Sequence, residues 1–283
     1  NDLSDSKKIF KIINNYKPVC IFHLAAETHV DRSIDSPKNF IESNIIATFN
    51  LLEAFRKYSI KNKKTKLIHV STDEVYGDVL KGRSLENNSY KPSSPYAASK
   101  AGADHIAKSY FYSFNLPIII LRPFNNFGPR QSSRAVIPTI INQALKGSKI
   151  KLGNVNTKRD FLYVNDTVEA IIKTVKLKKD LFGEEINLGT NYTFKVVDVV
   201  KIISSILRKK LYLRLNKQKL RPKASEVDIL KCDYAKAQKK INWRPKFKSS
   251  RGFKEALKIT LDWYKKNADD ELLNPEVLID TYK

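Results

Sequence analysis

Apolar runs of strand length alternate with segments of helical periodicity in the first half of the chain. Near-continuous runs rich in Val, Ile and Leu cover residues 19–25, 66–71 and 117–122. Apolar residues at helical spacing predict helices over residues 7–16, 37–58 and 95–115. Strands that are apolar on both faces and are separated by helices indicate a parallel sheet that is covered by helices on both sides.

The second half of the chain has a less regular pattern. Helices are predicted over residues 134–146, 165–177, 195–209, 233–240 and 252–266. Short extended segments are predicted over residues 149–152, 160–164, 184–188, 211–215 and 225–230. The composition changes near Pro123, after which loops and Lys-rich helices dominate. We therefore predict an α/β protein with a sheet-containing domain over residues 1–128, to which residues 163–190 return, and a smaller mixed α/β domain over residues 129–283.

The composition excludes several classes of protein. The 283 residues are 42% hydrophobic, which is enough for a core and excludes general disorder. No apolar stretch approaches the roughly 18 residues of a membrane-spanning helix, and no secretory signal pattern opens the sequence. Two cysteines, Cys20 and Cys232, are too few for a disulfide framework or a four-Cys zinc site. We therefore expect a cytoplasmic protein with no metal site.

The net charge of +23 formally suits a nucleic-acid-binding protein. Arg supplies only 12 of the 52 positive residues, however, and the lysine runs are scattered and mostly lack interleaved aromatic residues. Phosphate and base recognition favour the forked guanidinium of Arg, whereas Lys is also a general solubilising residue. We therefore expect a lysine-rich solvated surface and no nucleic-acid partner.

Polar and chemically capable residues follow the three predicted strands of the first half. The segments are 25–34 (AAETHVDRSI), 71–78 (STDEVYGD) and 123–130 (PFNNFGPR). Ligands bind at the carboxyl ends of the strands in open parallel sheets, so we expect these loops to form one site.

Tyr96 and Lys100 lie four residues apart in a predicted helix and therefore share one face of it. An ammonium group near a phenol stabilises the phenolate, which would make Tyr96 a usable proton acceptor. The Tyr-x-x-x-Lys pattern alone is weak, because it also recurs by chance on surfaces. Thr72, at the end of a predicted strand, strengthens it because its hydroxyl could contact the same substrate oxygen.

A set of motifs makes the chain recognisable. They are 23–34 (HLAAETHVDRSI), 71–77 (STDEVYG), 94–100 (SPYAASK), 122–126 (RPFNN), 128–130 (GPR) and 159–161 (RDF). With them the chain resembles the extended short-chain dehydrogenase/reductase superfamily, and within it the nucleotide-sugar 4,6-dehydratases, most closely those that act on dTDP-glucose. The resemblance covers about residues 1–266. It implies a Rossmann-like, doubly wound parallel sheet, NAD as cofactor and a nucleotide-diphosphate sugar as substrate.

The resemblance also implies a reaction. Thr72, Tyr96 and Lys100 would remove the C4 hydroxyl proton during hydride transfer, and Asp73 and Glu74 would eliminate water across C5 and C6 as acid and base. Epimerases of the superfamily need no such elimination and usually carry small residues at these two positions. The Asp73–Glu74 pair therefore favours a dehydratase (dTDP-glucose to dTDP-4-keto-6-deoxyglucose). Without the strand-end context, a pair of solvated loop carboxylates would be the better interpretation.

Further binding residues are implied by similarity. The cofactor would contact Asp2, Leu3, Leu24, Ala25, Ala26, Thr28, Ser71, Tyr96, Lys100 and Asn125. The substrate would contact His29, Thr72, Asn125, Arg159, Asn191 and Arg221. The two arginines suit a diphosphate, because a guanidinium can bind two of its oxygens at once. The other strand histidines, His23 and His69, are expected to be structural.

The chain departs from the family pattern at its start. The first of its 9 glycines is Gly77, so the glycine-rich turn that holds a dinucleotide pyrophosphate is missing. We expect an N-terminally truncated chain that lacks the first strands. The competing interpretation is a natural half-domain that does not bind NAD.

Several alternatives for the function stay open. Residues 122–138 (RPFNNFGPRQSSRAVIP) look more like UDP-sugar dehydratases and epimerases, so the base is thymine or uracil and the sugar is glucose or N-acetylglucosamine. A C4 epimerase and a UDP-glucuronate decarboxylase are alternatives within the superfamily. A non-catalytic nucleotide-sugar or nucleic-acid binder is a remote one. Family resemblance also suggests a homodimer formed through the helices at 37–58 and 95–115.

Overall fold

Four parallel strands form the central sheet, in the order β1-β2-β3-β8. A computed structural model of the chain describes residues 2–176 and 181–267. The strands are β1 (Cys20–His23), β2 (Lys66–Val70), β3 (Ile118–Pro123) and β8 (Glu185–Leu188). All six residues of β3 are buried, because helices cover both faces of the sheet. The predicted parallel α/β architecture is confirmed.

Seven smaller strands form three further sheets. β4 (Asn126–Phe127) pairs with β7 (Leu162–Tyr163), and β5 (Lys149–Leu152) pairs with β10 (Tyr212–Leu215). β6 (Lys158–Arg159) lies between β9 (Phe194–Lys195) and β11 (Ile229–Leu230). These strands are short, in contrast to the nearly continuous apolar strands of the central sheet.

The helices of the described residues follow the predicted pattern closely. They are α1 (Ser6–Tyr16), α2 (Val30–Asp35), α3 (Pro37–Phe40), α4 (Ala47–Ser59), α5 (Pro95–Phe114), α6 (Val136–Lys146), α7 (Val164–Val175), α8 (Val196–Leu207), α9 (Ala235–Ile241) and α10 (Ser249–Lys266). A π-helical turn, Ile41–Ile46, joins α3 to α4. The single helix predicted over residues 37–58 therefore has a widened turn in its first half.

The three largest apolar cores of the described residues hold these elements together. One lies between α1, α4 and α5 and one face of the sheet, with Phe55 and Leu52 at its centre. A second lies on the other face, around Trp243, Leu181 and the strands β3 and β8. The third joins α6, α8 and α10 with the small strands of the second half, and its centre is a cluster of phenylalanines around Phe253.

Two local predictions differ from the structure. Residues 30–35 form the helix α2, although the polar segment 25–34 was expected to be a loop. The strand predicted over 160–164 is interrupted, because Asp160 is fully buried and its carboxylate accepts bonds from the amides of Thr190, Asn191 and Cys232. This carboxylate holds three chain segments together at the point where a strand was expected to continue.

Part of the predicted returning segment, residues 185–188, pairs with β3 in the central sheet, with Ile120 opposite Glu185. The division into two domains stays a prediction. Within residues 2–176 and 181–267, no helix is both long enough and apolar enough to cross a membrane.

Candidate active site

The carboxyl end of β2 and the first turns of α5 bring the predicted catalytic residues together. Thr72 caps a short 3-10 helix, Asp73–Tyr76, and its hydroxyl accepts a hydrogen bond from the Glu74 amide at 3.3 Å. Gly77 ends this helix at a φ of 66°, and a Cβ atom there would lie 2.1 Å from the Lys91 carbonyl oxygen. Only glycine fits this position without strain, so the turn fixes the backbone of the carboxylate pair.

Asp73 is buried between two hydrogen-bonding side chains. The Asn125 amide donates to Asp73 Oδ2 at 2.7 Å, and the Thr72 hydroxyl lies 3.1 Å from Asp73 Oδ1. Burial, together with the neighbouring Glu74 charge, raises the pKa of Asp73 to about 8, although the Arg159 charge lowers it. Both Asp73 oxygens accept a hydrogen bond from a neighbouring side chain.

Glu74 differs from Asp73 in its surroundings. Asp73 is only 3% exposed, whereas Glu74 is half-buried. Two adjacent carboxyl groups in different environments can divide the roles of acid and base. The more buried Asp73 is suited to hold a proton at neutral pH, which is the state that a general acid needs.

Tyr96 and Lys100 are both buried on α5, which begins at Pro95 after the N-cap Ser94. Burial raises the pKa of Tyr96, and a hydrogen bond with the Thr72 hydroxyl lowers it. The Lys100 ammonium donates to the Val70 carbonyl at 2.8 Å, and burial lowers the pKa of Lys100 to about 8. Thr72 is thus the shared neighbour of Tyr96 and Asp73, as expected for residues that act on one sugar.

Asn44 connects the first predicted loop to α5, although no motif in the sequence points to it. Its side chain accepts from the Glu27 amide at 2.9 Å and donates to the Glu27 carbonyl at 3.0 Å and to Ser99 at 2.9 Å. Asn44 lies in the π-helical turn, and such turns are frequent at functional sites. Its partners are mainly backbone atoms, so the sequence carried no signal for this contact.

Three further residues, Asp104, Arg122 and Glu185, were not predicted as site residues and are buried on α5, β3 and β8. We call Lys100, Asp104, Arg122 and Glu185 the buried charge cluster; each is at most 8% exposed. Arg122 Nε donates to Asp104 Oδ2 at 3.0 Å, and Arg122 Nη2 lies 3.4 Å from Glu185 Oε1. The guanidinium also donates to the hydroxyls of Tyr76 and Tyr90 and lies over both of their rings. The spacing of Tyr96, Lys100 and Asp104 at every fourth residue was the available signal for Asp104.

The two predicted phosphate-binding arginines share a carboxylate. Arg159 Nη2 and Arg221 Nη1 lie 3.8 and 3.7 Å from Glu226 Oε1, and Arg221 Nε donates to Asp31 Oδ1 at 2.6 Å. We call Asp31, Arg159, Arg221 and Glu226 the outer charge cluster. The Arg159 charge acts on Asp73, and the Glu74 charge acts on Arg221, so this cluster adjoins the carboxylate pair.

Two other predicted substrate residues lie near these groups or near Asp160. His29 is the N-cap of α2, and its pKa is lowered by burial and by the charge of Arg134. Asn191 has a φ of 65°, its amide donates to Asp160 at 2.8 Å, and its buried Oδ1 has no hydrogen-bond partner among the described residues. Asn125, which was predicted to bind both cofactor and substrate, contacts Asp73 directly.

The predicted cofactor residues occupy two places. Leu24, Ala25, Ala26 and Thr28 follow β1, where Leu24 and Thr28 are exposed, and the buried Ser71 follows β2. Asp2 and Leu3 precede α1, and their hydrogen bonds run to Ser4 and Asn50, away from Tyr96. In the described part of the chain no three His, Cys, Asp or Glu side chains are grouped as metal ligands.

His23 and His69 are buried side chains of β1 and β2. Thr48 donates its hydroxyl proton to the Asn44 carbonyl at 2.6 Å, so the 2.9 Å contact between Thr48 and His23 Nε2 requires the histidine to donate. Burial holds the pKa of both His23 and His69 well below the usual value. Both rings are therefore neutral.

Comparison with known proteins identifies the family. A family model described as GDP-mannose 4,6 dehydratase matches residues 1–256. A dTDP-glucose 4,6-dehydratase of Salmonella typhimurium is 34% identical over 286 residues, which cover 94% of this chain and 78% of that protein. The chain belongs to the GDP-mannose 4,6 dehydratase family.

Solved structures agree with this family assignment. The crystal structure of the dTDP-glucose 4,6-dehydratase from Bacillus anthracis in complex with NAD has a TM-score of 0.80 at 32% identity, over 95% of this chain and 80% of that one. The UDP-glucose 4-epimerase of Thermus thermophilus, also in complex with NAD, has a TM-score of 0.82 at 28% identity, over 94% of this chain and 83% of that one. The predicted recognition and Rossmann-like fold class are confirmed. The fold is shared with epimerases, so the chemistry within the GDP-mannose 4,6 dehydratase family has to be argued from the site.

Proposed function

We propose that the protein catalyses the NAD-dependent 4,6-dehydration of a nucleotide sugar, with dTDP-glucose as the substrate and dTDP-4-keto-6-deoxyglucose as the product. The observation that carries this proposal is the Asp73–Glu74 pair, in which a buried carboxyl group with a pKa of about 8 lies beside a half-buried one. C4 epimerisation requires no acid for a C6 hydroxyl and no base for a C5 proton. Relatives named dTDP-glucose 4,6-dehydratase at 34 and 35% identity support the substrate.

The residues would act on the sugar in order. Tyr96, a neighbour of Thr72, takes the proton of the C4 hydroxyl as C4 is oxidised to a ketone. The ketone acidifies C5, and Glu74 removes the C5 proton. Asp73 gives its proton to the C6 hydroxyl, which leaves as water, and the C5–C6 double bond then accepts a hydride at C6 and a proton at C5. The sum is the loss of one water molecule.

The side chains around Tyr96 and Lys100 are suited to hold the nicotinamide end of NAD. Lys100 carries three N–H protons and makes one hydrogen bond, to Val70, among the described residues. Its other protons suit the hydroxyls of a ribose, and Tyr96, Ser71 and Asn125 lie at the same edge of the sheet. Bound NAD would supply the hydride acceptor for C4 and the hydride donor for C6. We propose that residues 1–128 hold it and that residues 129–283 hold most of the nucleotide sugar.

The outer charge cluster would bind the diphosphate. Arg159 and Arg221 converge on one carboxylate, Glu226, so their guanidinium groups lie close enough to bind one diphosphate. Charge-assisted bonds from guanidinium to phosphate are among the strongest in proteins. UDP-N-acetylglucosamine is a second candidate substrate, which the sequence of residues 122–138 favours.

The test uses the natural full-length protein with NAD and either dTDP-glucose or UDP-N-acetylglucosamine. We expect one of the two sugars to yield a 4-keto-6-deoxy product, which mass spectrometry detects as the loss of one water. Asp73→Asn and Glu74→Gln should each slow elimination by about 10²- to 10⁴-fold while single-turnover NADH formation persists. Asp35→Asn, an exposed carboxylate on α2, is the matched control and should not change the rate. Absence of product from both sugars would refute the function, and loss of NADH formation in both variants would refute the assigned roles.

We also propose a homodimer in the cytoplasm. Exposed apolar side chains lie in the π-helical turn and α4, at Ile41, Ile46 and Phe49. Two more, Tyr112 and Phe114, lie near the end of α5. Apolar side chains concentrated on adjacent helices support an interface between two copies. Both cysteines are free thiols, which supports a reducing compartment. Sedimentation of the natural protein should give twice the monomer mass, and Phe49→Lys should lower it.

A further inference from the structure

Three residues of α5 carry charge or a titratable hydroxyl along one face. Tyr96, Lys100 and Asp104 follow each other at intervals of four residues, which places neighbouring side chains about one helical turn apart. Lys100 is 3% exposed and Asp104 is fully buried. Asp104 is therefore placed to act on Lys100, although it lies too deep to touch a substrate.

Hydrogen-bond donors contact one oxygen of the Asp104 carboxyl group. Arg122 Nε and the Tyr90 hydroxyl donate to Oδ2 at 3.0 and 3.1 Å, and His69 Nε2 lies 3.3 Å from Oδ1. Burial raises the pKa of Asp104 to about 7, and the positive charges of Lys100 and Lys108 lower it. A guanidinium donating directly to the carboxylate favours its ionised form.

The buried charge cluster is balanced. It holds two cations, Lys100 and Arg122, and two carboxylates, Asp104 and Glu185. Arg122 contacts both carboxylates, Lys100 lies one helical turn from Asp104 on α5, and Glu185 also pairs with the partly exposed Lys108. If Asp104 were neutral, two buried cations would face one carboxylate. Arg122 cannot release its proton because of its high intrinsic pKa, so Lys100 is the group that would release one.

Titratable and charged groups from several segments surround the Lys100–Asp104 pair. They are His23 from β1; His69 from β2; Asp73 and Glu74 after β2; Tyr90 before α5; Tyr96, His105 and Lys108 from α5; Arg122 from β3; and Glu185 from β8. Burial holds the pKa of His23 and His69 well below the usual value, so neither ring is charged at neutral pH. Asp104 is the charged group that raises the pKa of Lys100, against the lowering by burial.

We propose that Asp104 is a positioning residue of the active site, whose buried carboxylate keeps the Lys100 ammonium charged beneath Tyr96. The inference rests on the proposed function only for its effect on the reaction. The effect on Lys100 itself is a property of this protein without any ligand. Removal of the carboxylate makes Lys100 lose its proton at lower pH, and a neutral Lys100 no longer stabilises negative charge on the substrate side of α5.

The first experiment measures the charge of Lys100 directly in the ligand-free natural protein. Lysine Cε is labelled with carbon-13, and the Lys100 resonance is assigned by its loss in Lys100→Met. We expect a titration midpoint of about 8. In Asp104→Asn the midpoint should fall by about one pH unit or more, which is the usual effect of an opposite charge at close range.

The matched control is Tyr90→Phe. It removes a hydroxyl that donates to the same Asp104 oxygen but leaves the carboxylate in place. The Lys100 midpoint should not change in this variant. An unchanged Lys100 midpoint in folded Asp104→Asn overturns the proposal. An equal fall of the midpoint in both variants also overturns it, because the hydrogen-bond network rather than the Asp104 charge would then set the Lys100 pKa.

A reciprocal measurement applies even if Asp104→Asn does not fold. The interaction of two charges is mutual, so Lys100→Met should raise the midpoint of Asp104 by the amount that Asp104→Asn lowers that of Lys100. Carbon-13 labelling of the aspartate carboxyl groups measures it. An Asp104 midpoint that does not rise in Lys100→Met overturns the proposal.

Activity separates this inference from the proposed function. In Asp104→Asn the alkaline limb of the pH profile of C4 oxidation should move to lower pH by the same shift as the Lys100 midpoint. A shifted Lys100 midpoint in a protein that dehydrates neither sugar would leave the pairing established and the function refuted. A shifted midpoint with an unmoved alkaline limb would overturn the role in the reaction.

Discussion

Arg122 and Arg221 each contact two carboxylates, but they differ in their access to solvent. In the buried charge cluster, the Arg122 side chain is fully buried between Asp104 and Glu185 and is covered by two tyrosine rings. In the outer charge cluster, the Arg221 side chain is 23% exposed, and its nearest partner, Asp31, is 66% exposed. The same kind of arginine–carboxylate ion pair is therefore shielded from solvent in the buried charge cluster and accessible to solvent in the outer charge cluster.

This difference indicates what each cluster can do. A buried ion pair that loses one partner leaves an uncompensated charge, so its members are fixed. An exposed ion pair contributes little to stability, so its members can exchange partners when a ligand arrives. The inner arrangement suits the tuning of Lys100, and the outer one suits the capture of a diphosphate.

The largest expected effect tests the fixed character of the buried cluster. Arg122→Met leaves Asp104 and Glu185 without their shared cation and should lower the free energy of unfolding by about 3–5 kcal/mol. Arg221→Met, the matched control, should lower it by less than about 1 kcal/mol. Denaturant titration of both variants measures the difference. Equal losses would show that burial does not distinguish the two clusters.

The second effect concerns ligand capture. Arg221→Met should weaken the binding of dTDP or UDP by about 10- to 100-fold, because one charge-assisted contact to phosphate contributes about 1.5–3 kcal/mol. Titration calorimetry measures the dissociation constants. An unchanged affinity would remove Arg221 from the substrate site and leave the outer cluster with a purely structural role.

The third effect concerns Asp73, which adjoins the outer cluster. Its pKa of about 8 in the folded protein lies above the ordinary value of 3.8, so the folded state keeps a proton that the unfolded state releases. This difference in proton binding stabilises the folded protein fully at pH values below the unfolded pKa. Between the two pKa values the free energy of unfolding falls by about 1.4 kcal/mol per pH unit, and the contribution is lost once pH rises through the folded pKa. Between about pH 6 and about pH 7, Asp73→Asn should therefore lose less stability than the unchanged protein. Parallel losses would contradict the raised pKa.

The smallest effect tests the exchangeable character of the outer cluster. Asp31→Asn removes a carboxylate that competes with phosphate for Arg221, and should tighten dTDP or UDP binding by about two- to fivefold, as expected for an exposed ion pair. Asp35→Asn, at the other end of α2, is the control and should leave the affinity unchanged. Weaker binding in Asp31→Asn would mean that Asp31 orients Arg221 for the ligand instead of competing with it.

The sheet and most helices could be predicted because their signal is local. β3 appears in the sequence as a continuous apolar run, and the helices appear as periodic patterns. Asp73, Glu74, Tyr96 and Lys100 could be predicted as one site because they follow strand ends or share a helix face. The structure places them as neighbours, and their catalytic roles stay predictions.

Features that depend on distant contacts could not be predicted. The π-helical turn depends on Asn44 contacting the backbone of Glu27, and the interruption at Asp160 depends on amides from two other segments. The spacing of Asp104 four residues after Lys100 is visible in the sequence, but its contact with Arg122 of β3 is not. The segment 25–34 contains a helix because Val30 and Ser33 are buried against the protein, which a polar composition does not reveal.

The position of β8 bears on how the chain folds. β8 pairs with β3, although the chain between them forms α6, α7 and several small strands, so this pairing closes a long loop. Long-range strand pairing is slow because the entropy of loop closure opposes it before the contacts form. Glu185 lies on β8, so Arg122 receives its second carboxylate only when this strand docks. We expect docking of β8 to be a late kinetic step, and the buried charge cluster to assemble only once the central sheet is complete.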